Sequence, residues 1–166
     1  MMQIPSLISL FTSQTFRHTD PNMQFTGLSF IDLDNEIVKI EGLSLNEVFT
    51  LKGERYFREI EAKTLKTVKS SICSCGGGII LNQNNVDFIK DNGISIFLNT
   101  EIKELSKRLV NSKDRPILKN KIKIEELEKI WIHRKKDYIK SADVILDTKY
   151  KSQELLINEI KILLQL

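Results

Sequence analysis

Short apolar runs alternate with amphipathic segments along this chain. The runs are five or six residues long and mostly apolar, as expected of strands buried on both faces of a parallel sheet. Four strands are predicted over residues 28–32, 71–75, 94–98 and 142–147, and a weaker fifth over residues 6–11. The alternation of these runs with helical segments indicates an α/β fold.

The amphipathic segments predict the helices. Ser44 and Glu47 form a capping box, with a hydroxyl at the N-cap and a carboxylate three residues later, and they open a helix that ends by Gly53. Further helices are predicted over residues 54–69, 84–91, 100–110, 124–139 and 152–164. Residues 111–123 form a polar, basic loop that contains Pro116, and we interpret this loop as a mobile lid.

The composition limits the classes of protein to which the chain can belong. It has 166 residues, 41% of them hydrophobic and 28% charged, which is typical of one soluble globular domain. No apolar run approaches the roughly 18 residues of a membrane-spanning helix, and the N-terminus lacks the pattern of an export signal. We therefore expect a cytoplasmic protein without a membrane partner.

The charge is unevenly distributed. The net charge is +3, but residues 103–140 contain 13 Lys plus Arg against 6 Asp plus Glu. A locally basic segment suggests an anionic ligand, although exposed helix faces are often basic for no specific reason. Acidic residues interrupt this segment and its aromatic residues, Trp131 and Tyr138, are predicted to lie in the core, so no nucleic-acid partner is expected.

The two cysteines are Cys73 and Cys75, one residue apart in a predicted strand. Residues at this spacing point to the same face of a strand but are too close in sequence for an easy mutual disulfide. No residues with zinc-ligand spacing accompany them. We therefore expect two reduced thiols and no zinc site.

Asp32 and Asp34 form a D-x-D at the carboxyl end of a predicted strand, where open α/β sheets bind their ligands. Two carboxylates in this position can hold the hydration shell of a magnesium ion and orient a substrate hydroxyl. The alternative is that Asp34 merely caps a helical turn that starts at Asn35. The residues alone leave both interpretations open.

Gly76, Gly77 and Gly78 also follow a predicted strand directly. Three glycines allow backbone N–H groups to approach a ligand closely, while the alternative is a flexible turn.

Four arginines form the third feature, because together they are able to clamp a carboxylate and phosphates through paired hydrogen bonds. They are Arg58, Arg108, Arg115 and Arg134. Arg58 has the alternative of a surface ion pair with Glu61, and Arg108, at the end of a predicted helix, that of pairing with the helix dipole.

Taken in order, these segments resemble the shikimate kinases, small members of the P-loop kinase superfamily. The matching segments are Phe30-Ile31-Asp32-Leu33-Asp34, Ile40-Glu41-Gly42, Glu47-Val48-Phe49, Gly53-Glu54, Phe57-Arg58 with Glu61, Gly76-Gly77-Gly78, Arg108, Arg115-Pro116 with Leu118, and Arg134 with Tyr138. The order and spacing of the segments carry the resemblance, which covers residues 27–166.

The resemblance implies a single domain over residues 1–166, built as a three-layer sandwich with a central parallel sheet of about five strands flanked by helices. A substrate-binding segment would occupy residues 34–70 and a lid residues 111–123. The implied reaction transfers the γ-phosphoryl group of ATP to the 3-hydroxyl of shikimate, giving ADP and 3-phosphoshikimate in aromatic amino-acid biosynthesis. The implied enzyme is a cytoplasmic monomer that uses Mg²⁺ and has shikimate and ATP as its partners.

The resemblance also implies a role for each site residue. Asp34 would hold the 3-hydroxyl and assist its deprotonation, and Asp32 would lie near Mg²⁺ through water. The remaining shikimate-binding residues would be Arg58 and Arg134 on the carboxylate, Gly76, Gly77 and Gly78 as backbone donors, and Phe49 and Phe57 as the pocket wall. Arg115 would stabilise the transferring phosphoryl group, and Arg108 would pack against adenine.

The chain departs from the family pattern in two places. The smaller departure is Lys136, two residues after Arg134, where the family usually has proline. The larger is that residues 1–26 contain no glycine, so the Walker A P-loop is absent from them. Two interpretations of that absence stay open: residues 1–26 are not in the native reading frame of a kinase, or the chain is a non-catalytic shikimate-binding homologue without ATP turnover.

Overall fold

The computed structural model describes residues 7–11, 28–110 and 124–165. The strands are β1 (Leu7–Phe11), β2 (Ser29–Asp32), β3 (Ser71–Cys75), β4 (Gly93–Asn99) and β5 (Val144–Asp147). The helices are α1 (Leu33–Glu41), α2 (Leu45–Thr67), α3 (Gln83–Asn92), α4 (Ile102–Val110), α5 (Ile124–Ser141) and α6 (Gln153–Leu164). A short 3₁₀ turn, Ile79–Leu81, follows β3.

The strands pair in parallel in the order β2-β3-β1-β4-β5. Each connection between parallel neighbours must cross a face of the sheet, and the helices supply these crossings. The α/β class predicted from the alternating pattern is therefore confirmed.

Helices cover both faces of the sheet because successive side chains of a strand point to opposite sides. On β3, Cys73 and Cys75 join one apolar cluster with buried residues of α1, α2, α3 and α5, including Leu33 and Phe57. Ile72 joins a second cluster, which α6 supplies with Leu156, Ile157, Ile160 and Leu164. The sheet lies between these two apolar clusters.

The predicted capping box opens α2. The Ser44 hydroxyl accepts from the Glu47 amide at 3.3 Å, and the Glu47 carboxylate accepts from the Ser44 amide at 2.7 Å. Gly53 has φ +81° and ψ 168°, which no helix contains, so the helix is kinked there and the predicted break is confirmed. The two predicted helices thus form one kinked element.

The sequence prediction contains helix α1 only as a possible helical turn from Asn35, whereas the helix spans Leu33–Glu41. It begins directly after β2, and Asp32 is its N-cap, with Oδ1 accepting from the Asn35 amide at 3.2 Å. The interpretation of Asp34 as the cap is therefore wrong, because Asp34 lies in the first turn of the helix and is 8% exposed.

Cys73 and Cys75 form no disulfide, and both are buried. The predicted lid, residues 111–123, lies outside the described residues, and so does the segment 12–27, where a P-loop would stand. In the part of the chain that the structure describes, no helix is long and apolar enough to cross a membrane.

Candidate active site

The glycine loop, Gly76–Gly78, leaves the carboxyl end of β3, and the D-x-D leaves the carboxyl end of β2. These two strands are parallel neighbours, with Asp32 opposite Ser74 in the register. Because parallel strands end at the same edge of a sheet, both segments lie at the edge where α/β folds bind ligands.

Two carboxylates approach the first glycine of the loop. A Cβ built on Gly76 would lie 3.9 Å from Oδ1 of Asp34 and 3.8 Å from Oε1 of Glu61. Asp34 comes from the start of α1, and Glu61 comes from the middle of α2, where it is only 1% exposed. The kinked α2 thus places an acidic side chain beside the D-x-D.

Arg58 lies one helical turn before Glu61 and covers the last glycine of the loop. Its Nη1 donates to Oε2 of Glu61 at 2.8 Å, and its Nη2 donates to Oε1 of the exposed Glu54 at 3.3 Å. A Cβ on Gly78 would lie 2.6 Å from Nη2 of Arg58. The interpretation of Arg58 and Glu61 as a surface pair is therefore wrong, since the pair packs against the loop and Glu61 is buried.

One donor of Arg58 has no acceptor in the described structure. Its Nε is buried and has no hydrogen-bond partner among the described residues. A buried donor without an acceptor costs about 1–3 kcal/mol. A ligand carboxylate would supply that acceptor, and guanidinium groups bind carboxylates through two parallel hydrogen bonds.

Burial of Glu61 changes its acidity. Burial raises the pKa of this carboxyl above its usual value of 4.5, while the charge of Arg58 and its hydrogen bond lower it. The Glu61 carboxylate and the Arg58 guanidinium stabilise each other beside the loop. Removing either partner would leave the charge of the other poorly compensated.

Arg58 lies against one ring of a stacked aromatic pair. The rings of Phe49 and Phe57 are stacked with centroids 4.4 Å apart, and the guanidinium of Arg58 lies 5.1 Å from the centre of the Phe57 ring. Phe57 is buried and Phe49 half-buried. The two residues therefore form an apolar surface next to the arginine.

Helix α5 reaches the loop through Tyr138. Its hydroxyl donates to the carbonyl oxygen of Gly77 at 2.9 Å. Burial raises the pKa of Tyr138, and a hydrogen bond from Arg134 together with the charges of Arg134 and Arg58 lowers it. Arg134 therefore lies near Tyr138, whose hydroxyl contacts the same loop as Arg58.

The two acidic residues of the D-x-D suit a hard cation. Mg²⁺ binds through oxygen ligands, commonly one or two carboxylates together with waters and phosphate oxygens. Asp32 and Asp34 supply such oxygens at the edge of the sheet. Over the described ranges no group of three or more His, Cys, Asp and Glu side chains is arranged to hold a metal by itself.

Two predicted site residues are not placed by the structure. Arg115 lies outside the described residues, and of Arg108 only the backbone, in α4, is described. Two residues at the site had no predicted function: Glu61, whose spacing to Arg58 suggested an ion pair, and Tyr138, which was predicted to be a core residue. Its burial is confirmed, with 6% exposure, but no pattern in the sequence indicated the contact of its hydroxyl with the loop.

The sequence profile named Shikimate kinase matches residues 24–165 of this chain. The chain belongs to the shikimate kinase family. The resemblance drawn from the order of the segments is therefore confirmed.

Relatives and solved structures of the family cover most of the chain. A shikimate kinase from Persephonella marina is 35% identical over 81% of this chain and 82% of its own. The crystal structure of a shikimate kinase from Bacteroides thetaiotaomicron has a TM-score of 0.81 at 28% identity, covering 97% and 99% of the two chains. A shikimate kinase from Acinetobacter baumannii, solved in complex with shikimate, has a TM-score of 0.85 at 25% identity, covering 97% and 94%.

Proposed function

We propose that this chain is a shikimate kinase, which transfers the γ-phosphoryl group of ATP to the 3-hydroxyl of shikimate. Its membership of the family supports the reaction. The observation that supports shikimate as the substrate is the position of Arg58. Its guanidinium packs on Gly78, and its buried Nε has no acceptor among the described residues. Shikimate carries a carboxylate that would accept from this donor.

The substrate would occupy the edge of the sheet beside the glycine loop. Arg58 and Arg134 would bind the carboxylate from opposite helices, with Phe49 and Phe57 as the wall next to Arg58. Gly76, Gly77 and Gly78 would supply backbone donors. In the described part of the chain, no residue accepts from the amides of Gly77 and Gly78, whereas all three carbonyl oxygens of the loop are hydrogen-bonded.

Asp34 is the residue we propose for proton transfer. Its carboxylate lies near Gly76, on the loop that would hold the substrate. The 3-hydroxyl oxygen would attack the γ-phosphorus while the bond to the ADP oxygen breaks, and the hydroxyl proton would pass to Asp34. In this arrangement the chain contributes orientation and electrostatic stabilisation.

The nucleotide side is proposed on the resemblance alone. Arg115 would stabilise charge on the transferring group as the lid over residues 111–123 closes, and Arg108 would pack against adenine. Mg²⁺ bound with ATP would neutralise the phosphate oxygens, and Asp32 would hold it through water. We further propose a cytoplasmic monomer with no nucleic-acid or membrane partner.

The two halves of this proposal are tested separately, because the sequence lacks a P-loop. Shikimate should raise the melting temperature of the purified full chain, and Arg58→Ala should abolish that rise. Mg²⁺ and ATP should then give ADP release only when shikimate is present. Binding without ADP release would instead support the non-catalytic homologue, and a chain that neither binds shikimate nor releases ADP contradicts the proposal.

A further inference from the structure

The three carbonyl groups of the glycine loop are held in two different ways. The carbonyl oxygens of Gly76 and Gly78 accept from the amides of Ile79 and Leu81, at 3.1 and 3.0 Å, in the turn that follows. The carbonyl oxygen of Gly77 instead accepts from Tyr138, which is 61 residues away on α5. The middle peptide of the loop is therefore held from outside the loop.

Holding this carbonyl also determines the direction of an amide. The carbonyl of Gly77 and the N–H of Gly78 belong to one planar peptide unit, and the described chain has no cis peptide bonds. In a trans unit the two groups point in opposite directions. The Tyr138 hydroxyl thereby fixes the N–H of Gly78 so that it points away from α5, and its hydrogen bond polarises that N–H.

Tyr138 is itself held in place. It is buried, and its ring stacks on Phe97 with centroids 5.2 Å apart and an interplanar angle of 12°. Trp131 stacks on the same ring with centroids 6.1 Å apart. The three rings form one cluster, with Phe97 and Trp131 also 6.0 Å apart, and this packing leaves the Tyr138 hydroxyl little freedom to leave the loop.

Tyr138 also neighbours the proposed carboxylate site. Arg134 lies one helical turn before it on α5, and burial raises the pKa of Tyr138 despite this positive charge. The hydroxyl therefore stays protonated at neutral pH and continues to donate to Gly77.

We propose that Tyr138 is a positioning residue of the substrate site, whose hydroxyl holds the Gly77–Gly78 peptide and directs the Gly78 amide towards the bound substrate. This inference rests on the proposed function for the identity of the ligand, shikimate. The coupling of Tyr138 to the Gly78 amide is a property of the chain without ligand.

Tyr138→Phe tests the inference, because it removes only the hydroxyl and keeps the stacked ring. We expect a folded chain whose dissociation constant for shikimate rises about fivefold to tenfold, the effect of one hydrogen bond. Where ADP release is measurable, the KM for shikimate should rise while the KM for ATP stays unchanged. The matched control is Tyr150→Phe, which removes a hydroxyl from a ring that is 93% exposed and should leave both constants unchanged.

A second measurement needs no ligand. In the ¹H–¹⁵N spectrum of the full chain, the amide resonance of Gly78 should shift in Tyr138→Phe and not in Tyr150→Phe. A purely structural role for the ring would leave that resonance and the affinity for shikimate unchanged.

The outcomes separate this inference from the proposed function. If the wild type binds shikimate, the inference alone is overturned by either of two results. Tyr138→Phe binds shikimate equally well, or its Gly78 resonance does not move. A wild-type chain that does not bind shikimate contradicts the proposed function. The Gly78 resonance then decides the coupling, with a shift supporting it and an unchanged position overturning it.

Discussion

The guanidinium of Arg58 lies directly on the α-carbon of Gly78. A Cβ at Gly78 would stand 2.6 Å from Nη2 and 2.7 Å from Cζ of Arg58, closer than side-chain carbons approach in proteins. The φ of Gly78 is −85°, which any residue adopts. Glycine is therefore needed at this position for the close approach of the arginine and not for its backbone conformation.

Gly78→Ala should displace Arg58 while leaving the fold in place. The end of a flexible side chain can move at little cost in stability, but the guanidinium would lose its position beside the loop. We expect shikimate binding to weaken about tenfold or more, measured by calorimetry, which corresponds to one lost charge-assisted hydrogen bond.

The control for that variant is Gly42→Ala, in which the added methyl group strains the backbone but contacts no side chain. Gly42 has φ +64° and open space around it, so alanine there strains the backbone and meets nothing. It should lower the free energy of unfolding by about 1 kcal/mol and leave shikimate binding unchanged. Equal effects of the two variants on binding would contradict the role of Gly78.

Arg58→Ala should reduce both stability and binding, and a second substitution separates the two effects. The single variant leaves Glu61 buried without its main partner, so we expect a loss of about 2 kcal/mol in urea unfolding. In the double variant Arg58→Ala with Glu61→Gln, part of the stability should return, whereas shikimate binding should not.

Arg55 provides the matched control for Arg58 on the same helix. Its side chain is 95% exposed and its Nε pairs with Glu59 at 3.1 Å. Arg55→Ala should change stability by less than about 0.5 kcal/mol and binding not at all. A loss of shikimate binding in Arg55→Ala as large as that in Arg58→Ala would show that the effect is general charge loss.

Glu61 should give the chain a characteristic pH dependence of stability. Because burial raises its pKa above 4.5, the folded chain binds this proton more tightly than the unfolded chain does. Its contribution to the free energy of unfolding therefore falls as pH rises from below 4.5 through the raised pKa. Glu61→Gln removes this contribution, so the stability of the variant relative to that of the wild type should rise with pH over that interval.

Urea unfolding of both chains from acidic to neutral pH measures the difference. Glu41 and Glu47 have pKa values below their usual range because of hydrogen bonds with Lys52 and Ser44, so they act in the opposite sense at lower pH. Both residues are present in the wild type and in Glu61→Gln, so their contributions to the pH dependence of stability cancel when the two proteins are compared. A difference that does not vary with pH would exclude the raised pKa of Glu61.

The buried thiols should be unreactive in the folded chain. The sulfurs of Cys73 and Cys75 lie 3.7 Å apart on one face of β3, and that contact together with burial raises the pKa of Cys73 well above its usual value. A thiol-specific disulfide reagent at neutral pH should label neither residue on the time scale in which it labels both in urea. Rapid labelling without urea would show that this face of β3 opens.

The elements of the fold were largely predictable because their signals are local. The capping box at Ser44, the break at Gly53 and the five apolar runs each depend on neighbours along the chain. Helix α1 was predicted only as a possible turn from Asn35, because it follows β2 without a connecting loop and the last residue of the strand, Asp32, is also the cap of the helix. With no intervening turn residues, the pattern had no boundary to indicate.

The candidate site was predictable in its members and not in its arrangement. By itself, the sequence determined the order of strands and helices, the D-x-D and the glycine loop at two strand ends, and the arginines that accompany them. Only the tertiary structure decided that Arg58 lies on Gly78, that Glu61 is buried beneath it, and that Tyr138 holds Gly77 from across 61 residues of chain. Periodicity shows which face of an element is apolar, but the meeting of two faces depends on how the whole chain packs.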